Sequence, residues 1–226
     1  MGRYLIDYQI NGQAKFFDFF LFVNPLGRKC YYSEQEIAQA KELISSRVEI
    51  NILCIHNEYI LNDFMARMGI HQSNLTLRNE IYTMLYRASL AFKAASMQGK
   101  KRGRRFLTDF QQKIQTDLHL FDNDFIIDVA EEAKLDIDLF IDDLQSDYVR
   151  DLYLNDLKIA HSMGVKITPS LVIFDSMQDR DGIIVEGSFT YDEILDLLDE
   201  MLENQCQKLH HKKQASPVEL NIIRKK

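Results

Sequence analysis

From residue 57 to residue 162 apolar side chains recur at helical spacing almost without interruption, and on both sides of that block the spacing changes to that of strands. A helical block held between two strand-bearing pieces is the feature that most restricts the fold. Breaks near Gln72-Ser73, Gly99 to Gly103, Asp122 to Asp124, Asp136 and Asp147 leave room for roughly five helices. Gly164 is placed to end the last one, because glycine tolerates the left-handed conformation of a helix stop. Ahead of the block, residues 4–10 alternate, Asn11-Gly12 is a turn signal, and Phe16–Val23 is an aromatic-rich strand that closes at Asn24-Pro25. Ser33-Glu34-Gln35-Glu36 reads as a capping box, followed at helical steps by Ile37, Ala40, Lys41 and Ile44, and residues 48–55 return to alternation. After the block come two short apolar runs, 170–174 and 183–185, split by the polar stretch 175–182, which read as a hairpin. A second capping box, Thr190-Tyr191-Asp192-Glu193, then opens a helix whose apolar face is Ile194, Leu197, Leu198, Met201 and Leu202.

Strand, helix, strand, helical block, hairpin, helix is the thioredoxin order with a helical domain inserted after the second core strand. The expected fold is therefore α/β and thioredoxin-like, of the DsbA type, with an inserted all-helical domain. Residues 1–56 and 159–205 form the thioredoxin-like domain, 57–158 the helical insertion, and 206–226 a polar basic tail of little autonomous structure.

Composition narrows the function. A chain of 226 residues, 46% of them hydrophobic, supports one good-sized core. The longest apolar run, residues 19–23, is far short of the roughly 20 residues of a membrane span, and Asp7 interrupts the N-terminus before a signal-peptide core could form. The expectation is a cytoplasmic protein. Three cysteines, Cys30, Cys54 and Cys206, at long spacings suit reduced thiols better than a disulfide framework. A net charge of −7 argues against a general nucleic-acid binder. Charge is unevenly placed: residues 117–156 hold thirteen carboxylates against Lys134 and Arg150, whereas Lys100-Lys101-Arg102-Gly103-Arg104-Arg105 is a compact basic run. That run is either an anion site or a solvated helix face at a corner near Gly103. Acidic pairs such as Asp142-Asp143 and Glu131-Glu132 read as exposed helix faces.

In thioredoxin-fold redox proteins the working thiol sits at the N-terminus of the first helix, where unpaired amides and the helix dipole stabilise the thiolate. Here that place is Pro25-Leu26-Gly27-Arg28-Lys29-Cys30. If Cys30 is the second cysteine of a Cys-x-x-Cys motif, Gly27 stands where the attacking sulfur belongs, and no intramolecular dithiol cycle is possible. Cys30 is then either a monothiol site, forming mixed disulfides or working with glutathione beside Arg28 and Lys29, or a leftover thiol packed as a small apolar residue. A glutathione-dependent enzyme of this fold typically uses a serine where Gly27 stands. Thr168-Pro169 is placed just before the third core strand, where this fold puts a cis proline facing the thiol site, and the residue before it offers its backbone to an extended peptide. Cys54 reads as core. Cys206 with His210 and His211 has i, i+4 spacing, but three ligands in a tail make a poor metal site. No cofactor and no metal are expected, and no glycine loop, serine elbow or zinc helix is present.

Residues 19–26 followed by Cys30, then Ala88-Ser89-Leu90-Ala91-Phe92-Lys93-Ala94-Ala95-Ser96-Met97-Gln98-Gly99-Lys100, and Gly164 to Pro169 resemble the DsbA-like proteins of the SpxH/YjbH type. The resemblance runs from about residue 16 to residue 202. It implies a cytosolic adaptor that hands the stress regulator Spx to the ClpXP protease. Bacillus-type relatives carry a complete Cys-x-x-Cys and an N-terminal histidine- and cysteine-rich metal-binding stretch; this sequence has Gly27, and no such stretch before Phe16. The reading is a redox-impaired protein acting as a protease adaptor, with Gly27, Cys30, Thr168 and Pro169 as a vestigial thiol site. The alternative is a thiol-disulfide oxidoreductase or isomerase, or a glutathione-linked monothiol enzyme, using Cys30.

Overall fold

Around Gly12 the chain turns back on itself: β1 (Gln9–Ile10) and β2 (Gln13–Ala14) run antiparallel, Gln9 opposite Ala14. Gly12 takes φ +74°, which a two-residue hairpin turn requires and glycine supplies without strain. The computed structural model describes residues 5–10, 12–114, 121–175, 182–211 and 223–225. They divide into two units, one of Met1–Leu21, Tyr32–Ile52 and Ser170–Lys226, the other of Phe22–Tyr31 and Leu53–Pro169.

The first unit is built on a sheet. β3 (Phe16–Val23) and β4 (Arg47–Cys54) are the strands read from the sequence, and β5 (Ser170–Asp175) and β6 (Gly182–Glu186) form the expected antiparallel hairpin, Val172 opposite Ile184. With a short strand β7 (Ile223–Lys225) at one edge, the sheet order is β4-β3-β5-β6-β7. Phe17, Phe19 and Leu21 alternate inward along β3, and Leu171, Val172, Ile173 and Ile184 are sealed from solvent. A buried ion pair, Lys15 with Asp175 at 2.6 Å, ties the start of β3 to the end of β5. Thr190 and Glu193 make the predicted reciprocal cap at the head of α8 (Tyr191–His211): Thr190 N–H donates to Glu193 Oε2 at 2.8 Å, and Glu193 N–H to Thr190 Oγ at 3.3 Å.

Two parts of this unit differ from the expectation. The first helix, α1, is Arg28–Leu43. It starts five residues ahead of the capping box, and Ser33 is a buried helix residue while Glu36 accepts the backbone N–H of Tyr191 at 2.7 Å. A cap is a position as much as a residue pattern, and the loop before Arg28 already satisfies the helix start. Residues 206–226, expected as a tail, carry the end of α8 and a short strand, β7 (Ile223–Lys225), parallel to β6 with Ile183 opposite Ile223. An open edge on β6 offers unpaired backbone groups, and the strand answers them.

The second unit is helical. α2 (Glu58–Arg67), α3 (Leu75–Met97), α4 (Lys100–Ile114), α5 (Asn123–Glu132), α6 (Ile137–Gln145) and α7 (Asp147–Ser162) make six helices among the described residues, where roughly five were expected. Polar caps set the breaks: side chains of Asn57, Asn74, Asp122, Asp136 and Ser146 each accept an amide of the following turn. The core is Leu85, Ala91, Leu107 and Val149 with a stack of phenylalanines, Phe106 lying 5.9 Å from Phe110 and 5.7 Å from Phe140. Gly99, with φ +115°, makes the corner between α3 and α4. Gly103 lies inside α4 and does a different job, letting that helix approach Ser96. The run Lys100 to Arg105 thus occupies the first turns of α4. Among the described residues no helix is long and apolar enough to cross a membrane.

Candidate functional site

All four sequence-predicted site residues, Gly27, Cys30, Thr168 and Pro169, fall in the second unit. The loop that leaves β3 is closed by Asn24, whose side-chain oxygen accepts Leu26 N–H at 2.8 Å and whose carbonyl accepts Gly27 N–H at 2.8 Å. The first helical bond of α1 runs from Tyr31 N–H to the Gly27 carbonyl at 3.2 Å, so Gly27 is the cap and Cys30 the third helical residue. Cys30 is 1% exposed, and its sulfur receives the Asn24 N–H at 3.2 Å. Arg28 and Lys29 are exposed.

A Cβ added at Gly27 would stand 2.9 Å from Cys30 Sγ. That is too close for unbonded atoms. It matches the separation of a Cβ from the far sulfur of a disulfide, about 3 Å from the standard bond lengths. A cysteine at this position would have its Cβ at about the separation that a disulfide to Cys30 needs, and 3.0 Å from the Asn24 carbonyl oxygen. Thr168–Pro169 is a cis peptide, with Pro169 buried and Thr168 half-buried at the entry to β5.

Residues 55–57 link the two loops. Ile55 N–H donates to the Val23 carbonyl at 3.0 Å, and Asn57 Nδ2 donates to the Lys166 carbonyl at 2.8 Å while its Oδ1 caps α2 by accepting Ile60 N–H at 2.9 Å. Between them His56 is buried, with its Nδ1 2.6 Å from the Tyr153 hydroxyl. Burial lowers the His56 pKa from 6.5 to about 4, so the ring is neutral near pH 7. Burial also pushes the Tyr153 hydroxyl well above its ordinary range.

Below this pair lies a buried charge. Asp156 on α7 accepts Cys54 N–H at 3.0 Å and meets the ammonium of Lys93 on α3. Burial raises the Asp156 pKa from 3.8 to about 6, outweighing Lys93 and the amide, which both pull it down. Sequence reading placed Cys54 in the core, where it is, but assigned nothing to His56, Lys93 or Asp156. One signal was available: Lys93 is the only charge in residues 88–99, an otherwise uncharged helical stretch, and a charge in such a setting needs a buried partner. Its partner, sixty-three residues away, leaves no mark of its own in the sequence.

Among the described residues no group of three or more His, Cys, Asp or Glu side chains could hold a metal ion. The side chains of Cys206, His210 and His211 lie outside the described ones.

A thioredoxin family model matches residues 20–196. Among curated relatives, the ClpXP adapter protein SpxH of Bacillus subtilis is 28% identical over 204 residues, 83% of this chain and 68% of the relative. SpxH of Bacillus licheniformis is 28% identical over 222 residues, 91% of this chain and 72% of the relative. Among solved structures, a putative protein disulfide isomerase from Nitrosomonas europaea superposes with TM-score 0.60 at 12% identity, covering 84% of this chain and 98% of its own. The oxidoreductase DsbA from Xylella fastidiosa gives 0.58 at 12% identity, covering 85% and 87%. At such identities the structures share the fold, and chemistry has to be argued from the residues.

Proposed function

The chain belongs to the thioredoxin family, and from that premise we propose that it binds proteins instead of exchanging disulfides, as an adaptor that presents a regulator of the Spx type to the ClpXP protease. One observation carries the choice between binding and catalysis. The thiol site has glycine at the attacking position, and its remaining sulfur is 1% exposed. A thiolate must reach its substrate to attack it, whereas a protein surface recognises its partner without one. Curated relatives named as ClpXP adapters support the direction of the reading. On this reading the protein works in the cytosol, needs no cofactor or metal, and keeps Gly27, Cys30, Thr168 and Pro169 as the remnant of an ancestral thiol site.

The reading is tested by measuring how fast purified ClpXP degrades Spx with and without the protein. Acceleration is expected. No acceleration, together with insulin reduction at a thioredoxin-like rate, would return the protein to the oxidoreductases and give Cys30 a role that its burial argues against.

A further inference from the structure

In a chain of net charge −7, residues 81–108 hold seven Lys and Arg and no Asp or Glu. Five of those cations fall within the first six residues of α4, about 8 Å of helix axis. Gly103, Phe106, Leu107 and Phe110 lie on the buried face of that helix, and Lys100, Lys101, Arg102 and Arg105 are exposed. The placement opposes folding in two ways. Cations at a helix N-terminus work against its dipole, and Lys101 and Arg105, one turn apart, repel each other. The fold obeys the dipole rule elsewhere: α2, α5, α6, α7 and α8 each carry a carboxylate in the first turn, and α4 carries none. Arg102 meets the neutral Gln98 Oε1 at 3.4 Å, Arg105 reaches Asp109 at 3.5 Å, and Lys101 has no carboxylate partner among the described residues.

The borders of this patch decide what fits it. α5 packs on α4, and its Asp124, Asp128 and Glu131 are exposed and paired with no cation among the described residues. At the α3–α4 corner, Gln98 Nε2 donates to the Asp136 carbonyl and its Oε1 accepts Asp136 N–H, both at 2.8 Å, which brings the start of α6 with exposed Asp136 and Asp138 alongside. A long polyanion, such as a nucleic-acid duplex or an anionic membrane, would lay further charge over these carboxylates. A short acidic stretch of a protein ends where the cations end. A second copy of a chain with net charge −7 is repelled overall.

We infer that Lys101, Arg102 and Arg105, with Lys100 beside them, form a docking surface on α4 for a short acidic segment of a protein partner. The cations raise the energy of the unbound helix, and carboxylates of the segment relieve it through charge-assisted hydrogen bonds that a neutral segment does not offer. This deepens the adaptor reading and rests on it.

The test uses the full chain and Spx. Titration calorimetry at low and at raised salt compares the natural protein with the triple variant Lys101→Gln, Arg102→Gln, Arg105→Gln. A control of the same net charge is Lys41→Gln, Lys158→Gln, Lys166→Gln, three exposed residues of which none is on α4. The α4 variant is expected to bind about tenfold more weakly at low salt and the control within about twofold of the natural chain, and the difference is expected to shrink as salt screens it. The urea midpoint of the α4 variant is expected to stay level or rise, because the cations removed oppose the helix dipole. Carbodiimide treatment of the natural complex is expected to join Lys101 Nζ to a carboxylate of Spx as an amide, identified by mass spectrometry. Undiminished affinity in the α4 variant, a loss that the control matches, or cross-links lying wholly off α4 overturn the docking surface and leave the adaptor reading intact. So does a labelled oligonucleotide that binds the natural chain and not the α4 variant while Spx binds both alike, or a salt-sensitive dimer of the natural chain in sedimentation velocity that the α4 variant loses. No binding of Spx by the natural chain overturns both. Should the triple variant fail to fold, Lys101→Gln, a change at one exposed side chain, decides together with the cross-link.

Discussion

At Gly27 the absence of a side chain separates scaffold from chemistry. The 2.9 Å from a Cβ at that position to Cys30 Sγ is a steric conflict for alanine or serine, and for cysteine it is the separation of a Cβ from the far sulfur of a disulfide. Gly27→Cys should therefore oxidise to an intramolecular disulfide, seen as a loss of two hydrogens in the intact mass, and the reduced variant should reduce insulin where the natural chain does not. A variant that stays dithiol under air would show that the loop has lost the motif's geometry as well as its sulfur. His56 and Asp156 make opposite demands on pH. His56 titrates at about 4 when folded and near 6.5 when unfolded, so the stability from its neutral burial is full above 6.5 and is lost as pH falls towards 4. Asp156 titrates at about 6 when folded and 3.8 when unfolded, so its contribution is full below 3.8 and is lost as pH rises through 6. Between those limits the two offset each other. Urea unfolding should show the stability advantage of the natural chain over His56→Phe, Tyr153→Phe shrinking by roughly 3 kcal/mol from pH 7 to pH 4. Its advantage over Asp156→Asn should grow across the same interval, and parallel profiles would mean that neither group is buried as described.

Among the elements, the approach of α4 to α3 is the tightest that a glycine secures. A Cβ at Gly103 would lie 2.3 Å from Ser96 Oγ and 2.9 Å from Ser96 Cα, and the second contact is with backbone that no rotamer change relieves. Gly103→Ala should lower unfolding free energy by about 1–3 kcal/mol in urea titrations, against the roughly 1 kcal/mol that alanine ordinarily gains over glycine inside a helix. A neutral or stabilising result would mean the helices stand farther apart. The same glycine shows what sequence could and could not tell. Gly99 and Gly103 look alike in a string, and reading both as a corner was half right, because only the contact with Ser96 distinguishes a helix stop from a helix crossing. Phe16–Val23 was legible because a strand in a core announces itself by composition. The start of α1 was not, since Arg28 and Lys29 are poor first-turn residues beside a helix dipole, and the cap belongs to a loop closed by Asn24 instead of to the Ser33 pattern. At the site, the thiol loop and Thr168-Pro169 could be found because the fold dictates their places in the chain order. His56, Tyr153, Lys93 and Asp156 could not, because their pairing is a product of three-dimensional packing between β4, α3 and α7.

For the molecule as a whole, the question is whether binding and thiol chemistry have separated completely. Cys30 and Cys54 are both buried, and neither has a cysteine partner in disulfide linkage. If the surface does the work, removing the sulfur should leave the work unchanged. Cys30→Ala deletes the acceptor of the Asn24 amide, so a modest loss of stability, about 1 kcal/mol, is expected in unfolding experiments. The rate at which ClpXP degrades Spx in the presence of the variant should equal the rate with the natural chain at saturating adaptor. The natural chain should also keep that rate after treatment with a disulfide-forming oxidant, since Gly27 gives Cys30 no sulfur to join. A rate that falls with Cys30→Ala while the protein remains folded, or that falls with oxidant in the natural chain and is spared in the variant, would assign the buried thiol a sensing role. It would also mean that Cys30 reaches solvent in a state more open than the one described, in which the residue is only 1% exposed.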